Sequence, residues 1–142
     1  MTTQEYTTLA AAVGSELEIS RLRFLGLLAP ASDEAAARAH VEAVRALHPR
    51  ARHRCTAMVV GPRGELERSN DDGEPSGTAG APMLEALRAE GVTDVVAVVV
   101  RYFGGVLLGT GGLARAYRGA VADALAVART VVRRLLVVLE VR

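Results

Sequence analysis

The segment Val95-Val96-Ala97-Val98-Val99-Val100 constrains the chain more than any other. Five of its six residues are valine, whose branched Cβ favours extended backbone. A strand with one wet face alternates apolar and polar residues. This one does not alternate, so it predicts a strand covered on both faces or central in its sheet. The chain must therefore build a sheet around it and supply helices to cover that sheet.

The flanking sequence supplies both. Residues 16–28 read as strand, with Gly26 a bulge or a bend between two strands. Asp33 to Leu47 reads as a helix, capped by Ser32 or Asp33 and ended by His48-Pro49. Cys55 to Val60 is short enough for a strand, and Gly61-Pro62-Arg63-Gly64 is a turn followed by a polar stretch. Pro82 suits a helix first turn, with Gly91 at its C-cap. A long helix is expected from Leu113 to about Arg129, and a last strand from Val131 to Val141. The order is strand, strand, helix, strand, helix, strand, helix, strand. It fits an α/β (α+β) two-layer sandwich, with helices over a mixed sheet.

At 142 residues, half of them apolar, the chain reads as one ordinary globular domain, or as one domain and a fragment. Residues 1–15 read as a flexible lead-in, 16–130 as the domain, and 131–142 as a terminal strand. No apolar run is long enough for a membrane helix, and the N-terminus lacks the pattern of a secretory signal. The single Cys55 forms no internal disulfide, so a cytoplasmic location is expected. Net charge is +1, which gives no general pull on nucleic acid, and nothing points to DNA. All 17 basic residues are arginine, which reflects base composition or the bidentate grip of guanidinium on phosphate.

Two glycine-rich segments stand out. The first is Asp71-Asp72-Gly73-Glu74-Pro75-Ser76-Gly77-Thr78-Ala79-Gly80. Asp71, Asp72 and Glu74 crowd three carboxylates together, which calls for a hard cation such as Mg²⁺, an arginine, or simple solvation in a turn. Ser76 and Thr78 add hydroxyls, and the helix start at Pro82 would offer backbone N–H groups to an anion. The second runs from Arg101-Tyr102-Phe103-Gly104-Gly105 to Gly109-Thr110-Gly111-Gly112-Leu113. It joins a strand to a helix, the setting of phosphate loops, but matches neither a Walker A loop nor a dinucleotide fingerprint. Arg101, Gly109, Thr110, Gly111, Gly112 and Arg115 are candidate anion binders, and tight loop packing is the alternative. His53 and Cys55 share a strand face. They read as a nucleophile pair, as two metal ligands, or as a core cysteine beside a sheet-end histidine. Tyr102 and Tyr117 are secondary candidates.

These motifs resemble the YigZ/IMPACT family. The resemblance rests on Ala51-x-His53-x-Cys55-x-Ala57, on both glycine-rich segments and on Ala116-Tyr117, and covers about residues 16–130. It implies a fold like the second domain of ribosomal protein S-five, also seen in elongation factor G and the GHMP kinases. It implies a second, ferredoxin-like domain, whose first strand residues 131–142 resemble. Where family members often carry Ser before Arg-Phe, Leu22 stands here, and no role is carried onto it. The resemblance implies a translation-linked regulatory or binding module with a protein, ribosome or RNA partner. The eukaryotic members look like competitors that displace a kinase from its activator. The alternative is an Mg²⁺-dependent enzyme or binder of a phosphate compound using both glycine-rich loops, although no catalytic motif is complete.

Overall fold

The computed structural model describes residues 2–104 and 107–137. In chain order they form β1 (Thr2–Leu9), β2 (Val13–Ile19), β3 (Leu22–Pro30), α1 (Glu34–Leu47), β4 (His53–Val60), β5 (Leu66–Asn70), α2 (Gly80–Glu90), β6 (Val95–Tyr102), α3 (Gly109–Val127) and β7 (Thr130–Val137). The main sheet has strand order β2-β3-β6-β4-β5, and a second, two-stranded sheet pairs β1 with β7. The valine run is the central strand, as its composition requires. Every pairing in the main sheet is antiparallel, where a mixed sheet was expected.

The α/β sandwich follows from the faces of β6. Val95, Ala97 and Val99 pack with Met83 and Leu87 of α2 and with Ala116, Ala120 and Val121 of α3. On the other face Val98 and Val100 meet Val41 and Val44 of α1. Helices cover both sides, so β6 needs no polar alternation. Asp33 caps α1 by accepting from the Ala36 N–H at 2.8 Å, and Gly91 ends α2 in the left-handed region at φ +74°.

Several elements depart from the sequence reading. Residues 1–15, expected as a flexible lead-in, contain β1, which pairs antiparallel with β7. The sequence pattern is weak because Leu9 is the one apolar side chain of β1 buried in the core among the described residues, and polar contacts add to the strand's hold. The Thr93 N–H donates to the Thr7 carbonyl at 2.9 Å, and the Thr8 hydroxyl donates to the Asp94 carbonyl at 3.1 Å. The terminal strand is thus paired up to Val137, and the rest of the expected 131–141 strand lies outside the described residues. The polar stretch after Gly64 contains β5, whose sequence Leu-Glu-Arg-Ser-Asn suits a sheet edge. Helix α3 starts at Gly109, four residues before Leu113, so the glycine-rich residues 109–112 are its first turn and not a loop.

Gly26 makes no bend. It lies within β3 opposite Ser15, and the two strands turn at Ser20 and Arg21, both at positive φ. A Cβ at Gly26 would lie 2.6 Å from the Ala120 carbonyl oxygen and 2.6 Å from Ser15 Oγ. The missing side chain lets α3 settle on the sheet, where the Ser15 hydroxyl donates to the Ala120 carbonyl at 2.7 Å. Gly26→Ala is therefore expected to push α3 off the sheet and destabilise the fold by about 1–3 kcal/mol, measured by urea unfolding.

Candidate functional site

Cross-strand register builds the site. His53 stands directly opposite Arg101, and Cys55 opposite Val99, so His53, Cys55 and Arg101 share the face that α2 and α3 cover. Tyr117 projects from α3 onto the same face, its ring edge-on to Phe24 at 5.3 Å. Into this ring of groups the segment after β5 delivers Glu74.

The Glu74 carboxylate is the centre. Its side chain is only 2% exposed. Arg101 Nη2 donates to Oε1 at 3.1 Å, and Nε lies 2.9 Å from Oε2 in a charge contact out of line for a hydrogen bond. The Tyr117 hydroxyl donates to Oε2. His53 Nδ1 donates to the Asp72 carbonyl at 2.7 Å, which places a proton on Nδ1. Its Nε2 then faces Glu74 Oε1 at 3.4 Å. A buried carboxylate is tolerable only when its charge and lone pairs are met in this way.

The two aspartates are engaged by other donors. Asp71 Oδ1 accepts from the Gly80 N–H at 2.8 Å and the Ala79 N–H at 3.2 Å, and Oδ2 accepts from the Gly77 N–H at 2.9 Å. Asp71 thus supplies the anion at the start of α2, a helix with no cap from its own N-cap side chain. The anion site expected there is filled from within the chain. Burial alone would raise the Asp71 pKa, but the bonds from Gly77, Gly80 and Ala79 outweigh it and hold the carboxyl below its ordinary range. Asp72 Oδ2 accepts from the Arg54 N–H at 2.8 Å, and Oδ1 lies 3.5 Å from Arg45 Nη2. Asp72 itself sits at φ +45°. The three carboxylates therefore point to three different sets of donors. Among the described residues no group of three His, Cys, Asp or Glu side chains converges as a metal site.

Cys55 and His53 do not form a nucleophile pair. The Cys55 thiol donates to the Asp71 carbonyl at 3.1 Å, while both His53 nitrogens face Asp72 and Glu74. Burial pushes the Cys55 pKa up to about 12, against an opposing hydrogen bond with Tyr117 and with help from the charges of Glu74, Asp72 and Asp71. The group is a neutral thiol inside the core. Burial likewise raises the Tyr117 phenol above its ordinary range, with Cys55 and Glu74 adding to the shift.

The two glycine-rich segments do meet. Glu74 and Arg101 line a cavity of about 280 Å³ together with Pro75, Leu107, Leu108, Gly109, Thr110 and Leu113. Arg101 is the arginine that neutralises Glu74. Arg118 instead pairs with Glu85 of α2 at 2.8 Å. Arg115 is exposed beside Gly111 and makes no ion pair among the described residues. Gly109 needs its glycine, at φ +71°. Ser76 is exposed, and Thr78 is buried with its hydroxyl bonded to the Pro75 carbonyl. Tyr102 lies on the opposite sheet face, hydrogen-bonded to His48 and beneath Arg23, whose Cζ is 5.6 Å from the ring centroid. Gly105 lies outside the described residues. The sequence reading passed over Leu107, which is 97% exposed. Its signal was an apolar pair, Leu107-Leu108, between two glycine groups.

Comparisons with known proteins follow the same segments. The model of the Impact N-terminal domain matches residues 20–125. The IMPACT family member YigZ of Escherichia coli is 52% identical over 118 residues, covering 82% of this chain and 58% of that protein. The IMPACT family member YvyE of Bacillus subtilis is 44% identical over 120 residues, covering 84% and 55%. The chain thus spans little more than half the length of these relatives. A solved structure of a hypothetical protein superposes with a TM-score of 0.88 at 48% identity, over 92% of this chain and 64% of that one. The two-domain translational regulator Yih1 gives a TM-score of 0.50 at 25% identity, over 83% and 46%.

Two outcomes test the site. Arg101→Met leaves Glu74 buried without its cation and is expected to destabilise the fold by about 3–5 kcal/mol in urea unfolding. Adding Glu74→Gln removes the stranded charge and is expected to restore part of that loss. The Asp71 pKa is lower folded than unfolded, so its contribution is present above the unfolded carboxylate range, near pH 4, and is lost as pH falls through the folded value. Asp71→Asn should flatten that acid limb of the stability–pH curve.

Proposed function

Because the chain belongs to the Impact N-terminal domain family, we propose that it is a translation-linked regulatory module that acts by binding a protein partner. The likeness to Yih1, a translational regulator, supports the link to translation. One observation carries the binding role. The motif that looks most like chemistry is spent on holding the fold, while the adjoining surface is apolar and open. Leu107 is 97% exposed and lines a cavity of about 280 Å³ whose other apolar walls are leucine and proline. An exposed leucine next to an apolar socket suits a partner that brings one apolar anchor side chain. The Glu74 contacts hold Arg101, and with it the neighbouring Pro75, in the lining of that socket.

The second reading is an Mg²⁺-dependent binder or enzyme for a phosphate compound. It would require Asp71 and Asp72 to leave the backbone N–H groups and arginines that now engage them. Arg115, exposed and without an ion pair among the described residues, is what favours it.

The test is a translation reaction reconstituted from purified components, with ribosome co-sedimentation as a second readout. Wild type is expected to change the rate of protein synthesis, and Leu107→Asp to abolish the effect with the fold intact by circular dichroism. If wild type changes neither readout, the regulatory reading fails. A thermal shift with Mg²⁺ and a nucleotide, lost in Asp72→Ala and Arg115→Ala, would instead support the second reading.

A further inference from the structure

A separate surface lies on the opposite face of the sheet. Strand β5 is the last in the order β2-β3-β6-β4-β5, so one side of its backbone has no strand partner among the described residues. Helix α1 packs across β3, β6 and β4. Between α1 and β5 runs a groove of about 720 Å³. Residues Leu66, Arg68 and Asn70 oppose Val60, Met58 and Thr56, which places their side chains on the groove face.

The groove sets three arginines against two glutamates, Glu34 and Glu42, and offers little apolar surface. Its floor residues, Met58 and Thr56, are only 7% and 8% exposed, so an apolar helix laid there would bury little new surface. Arg38, Arg45 and Arg68 line it. Arg38 is matched by Glu34 at 2.6 Å. Arg45 has longer contacts, 4.0 Å to Glu42 and 3.5 Å to Asp72. Arg68 makes no ion pair among the described residues, whereas Glu67, on the other face, is held by Arg88 at 2.7 Å. The edge is also held in place. The residue after β5, Asp71, is tied to the start of α2, and the Asp72 N–H donates to Asn70 Oδ1 at 2.7 Å. An edge fixed in advance loses less freedom when a strand is added.

We propose that β5 and the α1 groove take up an extended acidic segment of a partner protein, added to the sheet as a strand. Main-chain hydrogen bonds to the free side of β5 supply the attachment. Carboxylates at alternate positions of the incoming segment meet Arg68 and Arg45, and these contacts set its charge preference. This surface does not depend on the socket beside Leu107, and its test leaves that socket untouched.

The probes are fluorescein-labelled decapeptides of alternating valine and glutamate, or valine and lysine, followed by anisotropy at low salt. The acidic peptide is expected to bind at least about tenfold more tightly than the basic one, and Arg68→Glu to weaken it by about tenfold. The acidic peptide methylated at alternate backbone nitrogens keeps its charge but cannot pair as a strand, and is expected not to bind. Amide chemical-shift changes should centre on residues 66–70. Absence of binding by the acidic peptide overturns the proposal. So does equal binding of both peptides, full retention by the methylated one, or shifts centred on β2. If a short RNA binds in an Arg68-dependent way while the acidic peptide does not, the surface serves nucleic acid and the proposal fails. Leu107→Asp is expected to bind the acidic peptide as wild type does, so failure here and failure of the translation test are separate results.

Discussion

One buried carboxylate ties the structure together. Glu74 is inside the molecule, its charge met by Arg101 from β6 and the Tyr117 hydroxyl from α3, with the ring of His53 from β4 packed beside it. Each partner comes from a different element, so the contact fixes the distances between β4, β6 and α3 at one end of the sheet. The cost of such a group is asymmetric. A well-packed apolar substitute for the whole set can be as stable, but one missing partner leaves a charge in low dielectric. A set of this kind enforces one arrangement of the loop between β5 and α2 and penalises others steeply.

That asymmetry explains why the acidic segment misleads a reader of the sequence. Three carboxylates in four residues look like a cation site because sequence distance is the only distance visible. In the fold Asp71 turns to the backbone N–H groups of Gly77, Ala79 and Gly80, Asp72 to Arg54 and Arg45, and Glu74 to Arg101. The glycines and proline of the segment let the chain reverse between these partners, with Gly73 at φ +86° and Gly77 at φ +80°.

What was legible follows from local rules. The valine run gave its central strand, Asp33 its helix cap, and Pro82 with Gly91 the extent of α2. What was not legible depends on contacts far apart in sequence. β1 exists because β7 lies beside it, more than 120 positions away in register at Leu9 and Thr130. β5 is too polar to announce itself, because only one of its sides is paired. The start of α3 was placed late because glycine is a poor helix former, and residues 109, 111 and 112 are all glycine. The tertiary setting, with Leu108 and Leu113 packed inward, overrides that propensity.

The same strand separates the two faces. On β4, His53 and Cys55 look toward α2, α3 and Glu74, while Arg54 and Thr56 look toward α1. Four residues of chain, Asn70 to Gly73, carry the backbone from the exposed edge of β5 to the buried glutamate. Within them Asp72 bonds to both sides of β4. Its carbonyl accepts from His53 on one face, and its carboxylate faces Arg45 on the other. The position of the sheet edge and the position of Glu74 are thus set by one short turn. A substitution that loosens that turn has to disturb both surfaces at once, whereas a change at Arg68 or at Leu107 touches one and leaves the other as it was.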